Sequence, residues 1–217
     1  MSSGRRSQAR AAAREARSGA GPTAAGFDPG PNPGATAKFG LFGEVLTIGL
    51  LITLVALPIV TLPIALAAGI RQLRRFASAE DSRAALFWKD VRSGILPSLV
   101  VGVPAALVAA VLALDVVLAR SGALPGGQIV GVVGWSGLAG LAVGVLLAAG
   151  AWSPQTGWPA AVRAVPGIVR ADAVGALYIA ATAVFVGVVT WALTPLFIPA
   201  IGCAALAVVA VPARRRR

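Results

Sequence analysis

Carboxylates inside long apolar stretches are the side chains of this sequence best placed to do chemistry, and there are two, Glu44 and Asp115. In membrane proteins such groups relay protons or bind coupling ions. Asp115 stands 20 residues past Ile95, where its apolar run begins. That is about 30 Å along a helix and puts it near the far interface. Glu44 lies one turn into its own run, at a helix N-terminus whose dipole favours an anion. Both depths favour anchoring at an interface, with Arg120 a partner for Asp115, over a buried relay. The sequence has no histidine and one cysteine, Cys203. An internal disulfide, a zinc cluster, an imidazole base and a Cys-His nucleophile pair are therefore excluded. Paired carboxylates, a phosphate-cradling glycine loop and a Gly-x-Ser-x-Gly elbow are also missing. No cofactor, metal or enzymatic activity is expected.

The elements that must position these residues follow from composition and charge. Of 217 residues, 57% are hydrophobic and 12% charged, and the mean hydropathy is +0.83. A soluble domain carries about 25% charged residues. The fold class expected is all-α, a polytopic transmembrane bundle of about five spans plus a short Pro-broken hairpin arm. The spans fall at about 39–57, 95–118, 129–151, 173–193 and 195–211, and the arm at 63–77. In the first span, the eleven Leu, Ile, Val and Phe residues from Leu41 to Leu57 contribute about −3 to −7 kcal/mol to insertion, against about 3 for Glu44 even at the centre.

Pro58 and Pro63, with Thr61 between them, break the helix after this span. Six basic residues lie in the N-terminal tail and six between Arg71 and Arg92, so both regions are expected on the cytoplasmic side. A hairpin turning at Pro58–Pro63 satisfies that count; a straight span from 39 to 70 does not. Pro63 then sits in the first turn of the second arm, where proline is tolerated. The arm either reaches the far face or packs as a half-helix against its neighbours.

Ser78-Ala-Glu-Asp81 has the pattern of a capping box. It introduces an amphipathic helix over 79–92, with Phe87 and Trp88 among Lys89, Asp90 and Arg92. This helix is suited to lie in the cytoplasmic interface or to dock on the protein's own face. Residues 152–172, with Trp152, Trp158, Arg163 and Arg170, read as an interfacial loop carrying an aromatic belt. The basic end 212–217 clamps the C-terminus inside. Every basic cluster is then on one side, in a multi-pass plasma-membrane protein with both termini cytoplasmic.

The tail 1–38 is basic and rich in Ala, Gly, Ser and Pro, and is expected to be disordered. With one aromatic, Phe27, and no recognisable module, it points to anionic lipid head groups and not to nucleic acid. Arg6 stands 33 residues before Phe39, too far for a signal peptide. Gly127-x-x-x-Gly131 and Gly140-x-x-x-Gly144 are small-xxx-small patterns, suited to packing within one bundle or to pairing with a second copy.

Leu57-Pro-Ile-Val-Thr61, the small-residue helix Ala65 to Gly69, the cluster Arg71, Arg74 and Arg75, and Phe87-Trp88-Lys89-Asp90-Val91-Arg92 together resemble the YesL-like family of small bacterial membrane proteins. The ending, Pro195 to Ala200 followed by an arginine tail, resembles actinobacterial members. The resemblance covers about half the chain. Family members are of unknown molecular activity, and some are encoded beside genes for carbohydrate uptake and breakdown. It therefore implies an accessory or scaffold of a carbohydrate uptake system, whose partners are the lipid bilayer and a membrane transporter subunit or a second copy. A small solute carrier or channel using the Pro58–Pro63 break is the alternative.

Overall fold

A computed structural model describes residues 38–78, 80, 83–121 and 126–214, all within the compact unit Pro31–Arg217. The tail before Lys38 and residues 215–217 lie outside the described residues. Seven α-helices make up the described fold: α1 (Lys38–Val55), α2 (Leu62–Ala77), α3 (Ala84–Arg120), α4 (Gly127–Ala151), α5 (Gly157–Ala171), α6 (Ala173–Ala192) and α7 (Phe197–Ala213). Three of them, α3, α4 and α6, are long and apolar enough to cross a membrane, and α1 and α7 are shorter apolar helices. Their outward residues match that reading. Leu96, Val100, Leu107, Val111, Leu114, Ile129, Val132, Leu177 and Trp191 are all exposed. Such a surface is unfavourable in water and suited to acyl chains.

The short arm of the hairpin is the centre of the fold. From Pro63 to Ile70 every residue of α2 is buried, and α1, α3, α4 and α7 all pack on it. A helix that is apolar on all sides is a core helix. Here small residues let the neighbours close in: a Cβ added at Gly69 would lie 2.5 Å from Ile52 Cδ1. The arm is a 16-residue helix packed among its neighbours.

The turn between α1 and α2 is held by Thr61. Its backbone N–H donates to the Pro58 carbonyl at 2.8 Å, and its hydroxyl donates to the carbonyls of Val55 and Pro58. Gly102 of α3 lies against this turn so closely that a Cβ there would be 1.9 Å from the Val60 carbonyl oxygen. Glycine similarly allows the α1–α7 crossing. A Cβ at Gly49 would meet the Ile198 carbonyl oxygen at 2.2 Å, and one at Gly202 would meet that of Val45 at 2.3 Å.

The glycines of α4 divide by face. Cβ atoms at Gly127, Gly134 and Gly137 would come within 2.7 to 2.9 Å of Ala119, Val116 and Leu112 on α3, whereas those at Gly140 and Gly144 would meet nothing. The first group packs the bundle. The second borders an open groove of about 520 Å³ between α3, α4 and α5.

Two expected segments differ from the structure. The amphipathic helix 79–92 and the span 95–118 are one helix, α3, running 37 residues without a break. That is about 55 Å, against a hydrocarbon core of about 30 Å, so its first turns project beyond the apolar region. Continuity is physical: Ser93-Gly94-Ile95 contains no helix-breaking proline, and Pro97 and Pro104 are accommodated inside the helix. Ser78 closes α2, its N–H donating to the Arg74 carbonyl at 2.9 Å, and does not open α3. Asp81, the other half of the expected capping box, lies outside the described residues.

Residues 157–171, expected as loop, form α5. Trp158, Ala161, Val165 and Ile168 fall on one face at helical spacing and pack into the core, while Arg163 and Arg170 are exposed. Trp152 and Trp158 are buried and stacked with ring centroids 5.7 Å apart. They form a core pair and not an interfacial belt.

Candidate functional site

The polar residues of the bundle gather where α2 ends and α3 begins. Asp90, only 5% exposed, is the hub. Arg75 Nη2 donates to its Oδ2 at 2.7 Å, and Arg71 Nε stands 3.5 Å from the same oxygen. The Arg71 guanidinium also lies over the Trp152 ring, 5.6 Å from its centroid. One carboxylate between two guanidiniums leaves the cluster net positive, and Arg71 Nη1 and Arg75 Nη1 are buried without an acceptor among the described residues. Arg71 and Arg75 belong to the basic cluster expected on the cytoplasmic side. They are turned inward because Asp90, one turn beyond buried Phe87, brings a counter-charge to them from α3. Arg74, one turn after Arg71 on α2, is exposed and makes no ion pair among the described residues.

Phe87 is fully buried against Ala68 and Val91, and Trp88 stands edge-on to it at 5.6 Å with its outer face exposed. Glu44 is half-buried and hydrogen-bonded to the side chain of Gln72, so it ties α1 to α2. A second charged contact closes the same end. Asp172 caps α6 by accepting from Gly175 N–H at 2.9 Å, and takes Arg214 Nη2 at 2.8 Å. Arg214 also lies over the Tyr178 ring, 4.9 Å from its centroid.

At the other end, Asp115 and Arg120 do not pair. They are five residues apart on one helix, a spacing that points side chains to different faces. Arg120 instead lies over Trp191 of α6 at 5.6 Å. The structure therefore keeps Asp115 away from Glu44 and from the Arg–Asp cluster, so the two carboxylates do not form a common site.

Pro58 and Thr61 are structural parts of the turn. Pro63, with Ile59 and Leu62, borders a cavity of about 250 Å³ whose other walls come from α3, α4, α6 and α7. Its lining is apolar throughout, including Ala105, Ala109 and Leu141. The threonine hydroxyls of the spans turn back to their own helices: Thr47, Thr53, Thr182 and Thr190 each donate to the carbonyl four residues earlier, and Ser98 to the one three earlier. Among the described residues no group of three His, Cys, Asp or Glu side chains is placed to hold a metal ion.

Comparison with known proteins adds no relative. No family model matches the chain, and neither the curated proteins nor the solved structures contain a match.

Sequence reasoning had singled out Arg71, Arg75 and Phe87 but not the residues that organise them. Asp90 enters that reading only as one of the charges of an amphipathic helix, and Gln72 and Asp172 do not enter it. One sign was available for Asp90: it stands three residues after Phe87 and one before Val91, on the side of the helix that those apolar residues bury.

Proposed function

We propose that this chain is a non-enzymatic integral membrane protein that works through contacts, as an accessory or scaffold for a membrane transporter subunit of a carbohydrate uptake system. Its termini and arginine clusters face the cytoplasm, and it belongs with the YesL-like proteins that its Leu57-Pro-Ile-Val-Thr61 and Phe87-to-Arg92 elements resemble. The observation that supports the reading is how the polar groups are used. The buried ones join helices to each other, through Asp90 to α2 and through Asp172 to the end of α7, while the exposed charges of the same end are left for a partner. That partner surface is Lys89, Arg92, Arg163 and Arg170, all exposed.

The test is a native-level pull-down from membranes in mild detergent, with crosslinking and mass spectrometry. A stoichiometric transporter subunit is expected, and Lys89→Glu with Arg92→Glu is expected to release it. Recovery of the protein alone would sink the accessory role.

A carrier is the second reading, favoured by the cavity beside Ile59, Leu62 and Pro63. Its apolar walls offer nothing to orient a sugar, so the cargo would be apolar. Purified protein in liposomes that passes neither protons, sugars nor an apolar dye would remove that reading.

A further inference from the structure

At the end of the bundle that holds Arg74, between α2, α4, α5, α6 and α7, lies a pocket of about 320 Å³. Leu147, Ile168, Ile179, Val208 and Val211 make its walls apolar, and two charged residues, Arg74 and Asp172, border it. Asp172 is neutralised in place by Arg214 and by the first turn of α6. Arg74 is not. Its neighbours Arg71 and Arg75 share Asp90, and no carboxylate among the described residues pairs with Arg74 itself. Three guanidiniums against one buried carboxylate leave this corner with two positive charges. Arg74 reaches across to Gly150, where a Cβ would lie in ordinary contact at 3.7 Å from Arg74 Nη2, and Gly150 lets Val208 close in, a Cβ there lying 2.6 Å from Val208 Cγ1.

An occupant that satisfies both halves of this pocket carries an anion at one end and a hydrocarbon chain at the other. A guanidinium meets phosphate oxygens with two parallel donors. An acyl chain laid against the apolar walls fills the other half of the pocket by packing. Basic pockets between membrane helices hold anionic lipid head groups in this way. We propose that the pocket is a site for one anionic phospholipid of the surrounding leaflet, its phosphate on Arg74 and one acyl chain along Leu147, Ile179 and Val208. Free phosphate uses only Arg74 and leaves the apolar walls empty. A zwitterionic lipid brings no net charge to offset the two positive ones. The inference rests on the membrane reading of the chain.

The experiment titrates full-length protein in mild detergent with phosphatidylglycerol, phosphatidylcholine or inorganic phosphate and counts adducts by native mass spectrometry. One phosphatidylglycerol per chain is expected, bound about tenfold more tightly than phosphatidylcholine, the ratio one charge-assisted contact of about 1.4 kcal/mol supplies. Arg74→Gln is expected to erase that preference, Arg74→Lys to keep part of it, and Arg120→Gln, at the opposite end, to leave it intact. Equal retention of the two lipids, an unchanged preference in Arg74→Gln, or phosphate binding as tightly as phosphatidylglycerol would each overturn the site. Should Arg74→Gln not fold, a reduced preference in Arg74→Lys at unchanged thermal stability decides for the site, and its full retention decides against it. Carbonate washing of membranes separates this from the broader reading. Protein that stays in washed membranes yet shows no lipid preference contradicts the site alone, and protein that washes off contradicts the membrane reading.

Discussion

At the scale of single residues, Asp90 carries more of the arginine-bearing end than any other side chain. It holds Arg75 at 2.7 Å and Arg71 at 3.5 Å while itself nearly out of reach of solvent. Asp90→Asn removes the charge and keeps the shape, leaving two guanidiniums facing each other in a poorly hydrated corner. Removing one partner of a buried pair costs roughly 3 kcal/mol. A lower midpoint of thermal unfolding in detergent is the expected reading, and Arg75→Gln should cost more than Arg71→Gln, following the distances. Replacing all three at once (Arg71→Met, Arg75→Met, Asp90→Leu) is expected to cost less than Asp90→Asn alone, because no uncompensated charge remains. Most of the candidate residues were legible as unusual in the sequence. Their partners were not, because pairing is set by which helix lies alongside, and Asp90 and Arg75 are 15 residues apart across a helix break.

At the scale of elements, the glycines separate packing from accident. Gly49 and Gly202 sit where α1 and α7 cross backbone to backbone, and a methyl group at either would collide with a carbonyl oxygen. Gly49→Ala or Gly202→Ala is expected to destabilise the protein by about 1–3 kcal/mol. Gly140→Ala, on the open face of α4, should instead be neutral or stabilising by up to about 1 kcal/mol through helix propensity. Thermal unfolding of the three variants side by side checks the contrast. Spacing alone could not make this distinction, since Gly127-x-x-x-Gly131 and Gly140-x-x-x-Gly144 are the same pattern on different faces. The helices themselves were largely readable: the apolar runs and proline breaks placed α1, α2, α4, α6 and α7 within two residues at most ends. Segment 152–172 is read as a loop because charged residues beside aromatics suggest an interface, whereas Trp158, Ala161, Val165 and Ile168 lie on one helical face and pack into the core. Segment 79–92 is helical from Ala84 with Phe87 and Val91 buried, as its docked alternative has it, and differs only in running on into the next span.

At the scale of the whole molecule, the described fold puts the basic ends of α2, α3, α5 and α7 and the start of α6 together. The pairs Arg75–Asp90 and Arg214–Asp172 are the direct marks of this. The turn at Pro58–Thr61 and the Arg120–Trp191 contact belong to the opposite end. The proposed function puts the arginine-bearing end in the cytoplasm, following positive-inside counting. The most direct test replaces Cys203 by alanine and introduces single cysteines at four exposed positions, Ile59→Cys and Ser121→Cys at one end and Glu80→Cys and Gln155→Cys at the other. Intact cells are then treated with a membrane-impermeant maleimide. Labelling at 59 and 121 in intact cells, and at 80 and 155 only after permeabilisation, is the expected result. Equal labelling of positions 59 and 80, or the reverse pattern, would contradict the account.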